Sequence, residues 1–242
     1  MFFKKKKKSK KRTTATLARK LITVENPKAI VSEQFRTLRT NINFSNPDKV
    51  LKTILVTSSS PGEGKSTTSA NVASVYAQEG KRVLLVDGDM RKPTVHHTFG
   101  LKNTKGLSNV LTRQVSIEEA IQPSTLDNLS IMTSGPIPPN PAELLASKSM
   151  EQLIGELTAQ YDFIIFDAPP ILSVTDSQIL SNRCDGTVLV VKAGEAEKAM
   201  VQKAKESLVA SQANILGVVL NNFVLAKDNY YYYQYYGQAE SN

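Results

Sequence analysis

The chain has one cysteine, Cys184, among its 242 residues, so it can form no internal disulfide and no multi-cysteine metal site. Its two histidines, His96 and His97, are neighbours without partners at metal-ligand spacing, and they read as surface residues. No run of about 18 apolar residues occurs, which excludes a membrane-spanning helix. The opening "MFFKKKKKSKKR" lacks any acid, and no apolar stretch follows it, so it is no secretory signal. There is no internal repeat.

The formal charge of +8 comes from 30 basic and 22 acidic residues. Eight of the cations (Lys4 to Lys8, Lys10, Lys11 and Arg12) fall in the first twelve residues; without them the body is neutral. The basicity therefore belongs to an arm, which argues against a nucleic-acid-binding face on the folded body. Phe2 and Phe3 beside the lysine run suit an anionic membrane surface, and a solvated arm is the plainer reading. Residues 1–24 are expected to form a flexible arm, residues 25–222 one folded domain, and residues 223–242 a flexible tail. Six of the eight tyrosines crowd into that tail as Tyr230, Tyr231, Tyr232, Tyr233, Tyr235 and Tyr236.

Between arm and tail, short apolar runs alternate with helical segments. "TILVTS", "RVLLVD", "LSIMTS", "FIIFD", "TVLVV" and "NILGVVLN" are apolar on both faces and bounded by turn signals. "SMEQLIGELTAQ", "TDSQILSNR" and "EKAMVQKAKESLVASQ" read as helices, and a further helix is expected to start at Pro141. Strands alternating with helices predict an α/β domain with a doubly wound, mostly parallel sheet and right-handed crossovers. Ahead of it, "SEQFRTLRTNINFS" predicts a helix capped by Ser32. Val31, Phe35, Leu38 and Ile42 form its apolar stripe, and Glu33, Arg36 and Arg39 lie off it, exposed.

The most specific motif is "TILVTSSSPGEGKSTTSANVA": a strand, a glycine-containing loop and a helix opening at Gly64-Lys65-Ser66-Thr67. This is a P-loop, in which backbone N–H groups and a helix N-terminus cradle phosphates, Lys65 reaches the β/γ-phosphates and Ser66 ligates Mg²⁺. Ser60, Gly62, Glu63, Gly64, Lys65, Ser66 and Thr67 form the expected nucleotide cradle, with Ser59 where the usual pattern has glycine. "VLLVDGDMRKP" places Asp87 and Asp89 at a strand's carboxyl end, and "FIIFDAPP" places Asp167 at another. Carboxylates there, with Ser66, suit a hard cation that also keeps water and phosphate oxygens. Arg91 and Lys92 follow as candidates for phosphate contact or for a surface role.

These segments, with "SGPIPPNPAELL", resemble the Walker A, Walker A′, connecting and Walker B segments of the bacterial protein-tyrosine kinases of capsule and exopolysaccharide systems. "SEQFRTLRTNI" is similar to that family's EX2RX2R oligomerisation motif at Glu33, Arg36 and Arg39, and the tyrosine tail is a further family feature. The resemblance runs from Asn26 to Tyr236, and the chain resembles the separate kinase subunit of Gram-positive bacteria. It implies a P-loop NTPase fold and ATP- and Mg²⁺-dependent phosphorylation of the tail tyrosines by a neighbouring subunit. Lys65, Asp87, Asp89 and Asp167 would be the catalytic residues, and Ser66 and the three aspartates the metal set. Asn221 would contact adenine. Asp87 is the first candidate for the base and Asp89 for support, a division the spacing leaves open. The implied partners are a transmembrane activator, a ring of identical subunits (an octamer by resemblance), a phosphotyrosine phosphatase and protein substrates of polysaccharide synthesis. No nucleic acid is among them. The implied location is the cytoplasm, peripheral at the inner face of the membrane. The alternative is a positioning or partition ATPase, a nucleotide-switched binding module. Its relatives carry a signature lysine where this chain has Ser60, and its tail would need an amphipathic membrane helix that this one lacks.

Overall fold

β-Branched and large aliphatic residues in short runs make strands; five of the chain's six such runs are buried on both faces, and the last, at residues 215–221, stays partly exposed. The computed structural model describes residues 21–46 and 50–224. The arm through residue 20 and the cluster from Tyr230 to Tyr236 lie outside the described residues. In chain order the elements are α1 (Ile22–Glu25), α2 (Ile30–Phe44), β1 (Thr53–Ser58), α3 (Lys65–Gln78), β2 (Val83–Asp87) and α4 (Val95–Phe99). There follow α5 (Leu107–Leu111), α6 (Ile117–Ala120), β3 (Ile121–Pro123), β4 (Leu129–Met132), α7 (Pro141–Ala146) and α8 (Lys148–Gln160). The last are β5 (Phe163–Asp167), α9 (Asp176–Arg183), β6 (Gly186–Lys192), α10 (Lys198–Ala210) and β7 (Ile215–Asn221). No helix among the described residues is long and apolar enough to cross a membrane.

The strands form one seven-stranded sheet in the order β3-β4-β2-β5-β1-β6-β7, parallel except for the antiparallel β3. Alternate residues divide between its two faces. Ile54, Val56, Phe163 and Ile165 pack under α2 and α3, whereas Leu55, Ile164 and Phe166 pack with Leu145, Leu153, Leu157 and Leu180 on the other side. Helix α3 is built from small residues and lies between the sheet and α2; Ala70, Ala73 and Ala77 are all buried. Tyr76 near its end stacks on Phe163 with ring centroids 4.0 Å apart, and burial pushes its phenol's pKa up.

Three expectations at the helical entrance are corrected. Residues 21–24, assigned by composition to the arm, belong to the packed domain. Thr23 is fully buried, and both its N–H (3.1 Å) and its hydroxyl (3.0 Å) donate to Asn71 Oδ1 on α3. Ser32 does not cap α2, which starts two residues earlier with Ala29 at the N-cap. Its buried hydroxyl instead contacts the carbonyls of Ile22 (3.1 Å) and Asn26 (2.6 Å), tying α1 to α2. Arg39 is not a free surface cation. Its Nη1 donates to Val75 O at 3.1 Å and its Nη2 lies 3.6 Å from Glu79, at the carboxyl end of α3, where a cation suits unpaired carbonyls. Glu33 and Arg36 remain on the surface and pair with each other within α2.

Candidate active site

Strands β2, β5 and β1 are consecutive neighbours in the sheet, so their carboxyl ends bring the two aspartate motifs and the P-loop into one place. Asp87 and Asp167 sit directly opposite each other in the β2–β5 register. The P-loop connects β1 to α3, whose N-terminus leaves backbone N–H groups unpaired by the helix.

The loop is braced from within. Glu63 is buried and folds back, accepting hydrogen bonds from Ser59 Oγ (2.9 Å) and from the Ser60 backbone N–H (2.8 Å). The serine at the unusual position 59 thus has a partner that glycine would not supply. Gly64 adopts φ 95°, and a Cβ there would lie 2.0 Å from Asn221 Nδ2. That amide crosses from β7 to donate to the Glu63 carbonyl at 2.9 Å. Asn221, expected at adenine, braces the loop. A further link was missed from sequence: Asn71 Nδ2 donates to Thr67 O at 2.9 Å, so the buried Thr23 contact reaches the first turn of α3.

Lys65 lies among the acids. Its Nζ is 3.3 Å from Asp89 Oδ2, 3.8 Å from Asp167 Oδ1 and 3.4 Å from Ser66 Oγ. Asp167 Oδ1 also accepts from Ser69 Oγ at 3.1 Å, while its fully buried Oδ2 has no partner. Ser69 was missed as a site residue; its signal was its place one helical turn after Lys65. Asp87 Oδ2 accepts the N–H groups of Thr94 and Val95, each at 2.9 Å, and so caps α4; its Oδ1 accepts from Asp89 N at 3.2 Å. Burial, and next the neighbouring Asp167, push the Asp87 carboxyl up to about 7. Asp89 Oδ1 accepts from Lys92 N at 3.0 Å, which holds the turn after β2.

Arg91 is engaged in an ion pair. Its Nε (2.9 Å) and Nη2 (3.0 Å) make a forked pair with the buried carboxylate of Asp176 at the start of α9. Cys184 is buried, which pushes its thiol pKa up. His97 is exposed, but His96 is half-buried with an unpartnered Nδ1, and burial lowers its pKa.

Among the described residues no three acidic, histidine or cysteine side chains form a ready-made cation cage. The donor set nevertheless fits Mg²⁺ held partly by phosphate oxygens and water: the Ser66 hydroxyl lies 3.4 Å from Lys65 Nζ, which itself reaches Asp89 and Asp167, and Asp167 Oδ2 is a buried acceptor without a donor. The Lys65 ammonium and the α3 N-terminus supply the positive field a polyphosphate needs.

Strand, phosphate loop and helix at the centre of this sheet define a nucleotide-binding P-loop protein, and the AAA domain family matches residues 51–223. The chain is 51% identical over 225 residues to a tyrosine-protein kinase, YwqD, of Bacillus subtilis, covering 93% of this chain and 94% of the relative. It is similar to the crystal structure of the chimerical protein CapA2B2, with a TM-score of 0.82 and 45% identity over 85% of this chain and 90% of that one. This chain belongs to the bacterial tyrosine-protein kinase family. The cell-division ATPase MinD of Pyrococcus furiosus shares the fold alone, at 24% identity and a TM-score of 0.61 over 73% of this chain and 74% of that one.

Proposed function

We propose that this chain is an ATP- and Mg²⁺-dependent protein-tyrosine kinase that phosphorylates the tail tyrosines of a neighbouring subunit and regulates capsule or exopolysaccharide synthesis. The observation that carries this reading is Lys65, held between Asp89 and Asp167 at the mouth of a P-loop, beside a buried Asp87 of raised proton affinity.

The phenol oxygen attacks the γ-phosphorus as the bond from that phosphorus to the β,γ-bridging oxygen breaks. Little covalent work falls to the protein; it positions groups and offsets charge. Lys65 exchanges its carboxylate partners for phosphate oxygens and takes up the charge that develops on the leaving diphosphate. A free phenol has a pKa near ~10, so the attacking tyrosine arrives protonated. Asp87 accepts that proton, since a carboxyl of pKa about 7 is matched to proton transfer near neutrality. Asp89 steers Lys65, and Ser69 orients Asp167. Ser66 and Asp167, with support from Asp89, would hold Mg²⁺, which would neutralise charge on the phosphates. Asn221 contacts adenine from β7.

The kinase works peripherally at the inner face of the membrane with a transmembrane activator, in a ring of identical subunits through Glu33 and Arg36, opposed by a phosphotyrosine phosphatase. Arg39 contributes to that ring by fixing α2 on α3.

Purified protein incubated with ATP and Mg²⁺, together with the activator's cytoplasmic segment, should gain phosphotyrosine that maps by mass spectrometry to Tyr230 through Tyr236. Lys65→Met should abolish it with the fold kept by circular dichroism. A full signal in folded Lys65→Met protein would overturn the assignment. Lys65→Met protein mixed with an active variant whose six tail tyrosines are Phe should be phosphorylated; an unmodified inactive partner would exclude transfer between subunits.

A further inference from the structure

Among the described residues β7 closes the sheet, with no strand paired to its outer edge. Asn221 turns its carbonyl inward, where Ala193 N–H reaches it at 2.8 Å. By alternation along a strand, Val218 and Leu220 turn their backbone groups outward. Their side chains are also uncovered, at 58% and 52% exposure, and the apolar strip continues through Phe223 (60%) and Val224 (86%). With Val31, Phe35 and Leu38 of α2 these residues line a groove of about 620 Å³. A strand that exposes both its hydrogen-bonding edge and two large apolar side chains is a template for another strand.

We propose that the occupant of this edge is the chain's own tyrosine cluster, residues 230–236, added antiparallel to β7 when unphosphorylated. The polypeptide passes directly from the strip into that segment. Asn222 has φ 58°, a left-handed turn that starts the reversal. Asp228 and Asn229 are turn formers just ahead of Tyr230. Eight residues, 222–229, connect the two strands, so the tether holds the cluster at an effective concentration of about the millimolar order. Tyrosine favours strands, and alternation would place Tyr231, Tyr233 and Tyr235 together on one face, over Val218 and Leu220. Aromatic–aliphatic cross-strand pairs of this kind favour pairing. The docked cluster is then the stored form of the kinase's substrate. This regulatory part rests on the proposed function: each phosphate adds about −1.5 to −2 charges to the apolar strip and expels the cluster.

Hydrogen–deuterium exchange tests the docking without any need for activity. In Lys65→Met protein, the amides of Val218 and Leu220 should exchange about tenfold or more slowly than in the same protein with its six tail tyrosines changed to Ser, a factor a few cross-strand pairs supply. The difference should survive hundredfold dilution. Val218→Lys should remove it while leaving β6 amides protected. Equal exchange in the two proteins overturns the proposal. Protection lost on dilution also overturns it and assigns the edge to a second copy. In active protein, ATP should abolish the protection as phosphotyrosine appears. Protection that persists on fully phosphorylated chains refutes expulsion. If the protection is present but no phosphotyrosine ever forms, docking stands and the kinase reading fails.

Discussion

Gly64→Ala separates the two reasons for glycine in the phosphate loop. The first is backbone: φ is 95°, and an L-residue in the left-handed region costs about 1–2 kcal/mol. The second is steric: the new Cβ would lie 2.0 Å from Asn221 Nδ2 and 3.1 Å from its Cγ. The asparagine must swing away, losing its bond to Glu63 O, worth about 1 kcal/mol. Gly64→Ala alone should therefore cost about 2–3 kcal/mol of folding stability, measured by urea unfolding. Asn221→Ala alone should cost about 1 kcal/mol. In the double variant the clash is gone and the bond is already lost, so its cost should fall about 1 kcal/mol short of the sum of the singles. Strict additivity would refute the argument, since it would mean that Asn221 does not limit the space at Gly64.

Arg91→Ala strands the buried Asp176 carboxylate and should cost about 3 kcal/mol in urea unfolding, with Arg91→Lys intermediate because it lacks the fork; a loss below about 0.5 kcal/mol would mark the pair as an ordinary surface one. Arg39→Ala should cost about 1–2 kcal/mol by removing the contacts to Val75 O and Glu79; the loss should not depend on protein concentration, and a loss that vanishes on dilution would make Arg39 an intersubunit residue instead. Asp87 binds its proton more tightly folded (pKa about 7) than at its ordinary 3.8, so raising pH between these values should destabilise the nucleotide-free protein by about 1.4 kcal/mol per unit. Thermal melts of wild type against Asp87→Asn from pH 5 to 8 isolate this slope, and parallel curves would contradict it.

The parallel strands were legible because each is a short apolar run ending at turn residues, and the site because Gly64-Lys65-Ser66-Thr67 follows one strand and Asp87 and Asp167 end two others. Their convergence was less legible, since strand order is a nonlocal property: β2 touches β5 across about eighty residues of chain. β3 escaped notice because it is three residues ending in Pro123, tolerated on an edge. Helices α4, α5 and α6 are four or five residues each, too short for periodicity to register. Arg39 looked exposed because its partners, Val75 and Glu79, belong to another helix. The inward fold of Glu63 was hidden for the same reason that makes it useful: a carboxylate in a loop reads as solvated unless Ser59 and the Ser60 N–H are known to face it.

The phosphate loop is held by residues that do no chemistry, and two of the holding contacts begin near the limits of the packed domain. From the N-terminal side, Thr23 fixes Asn71, and Asn71 fixes Thr67 in the first turn of α3. From the C-terminal side, Asn221 on β7 fixes the Glu63 carbonyl. Each such bond contributes about 1 kcal/mol. A ligand that favours one arrangement of α1 or of β7 can therefore change nucleotide affinity by roughly fivefold through each contact, and by no more than its own preference between the arrangements. That bound is physically useful. It lets whatever engages the segments flanking the domain tune the loop, while Lys65, Ser66 and the three aspartates stay on rigid strand ends and a buried helix. Occupancy of the β7 edge is then felt at Glu63 through a single amide, so the tail and the phosphate loop respond to one another without sharing a catalytic residue.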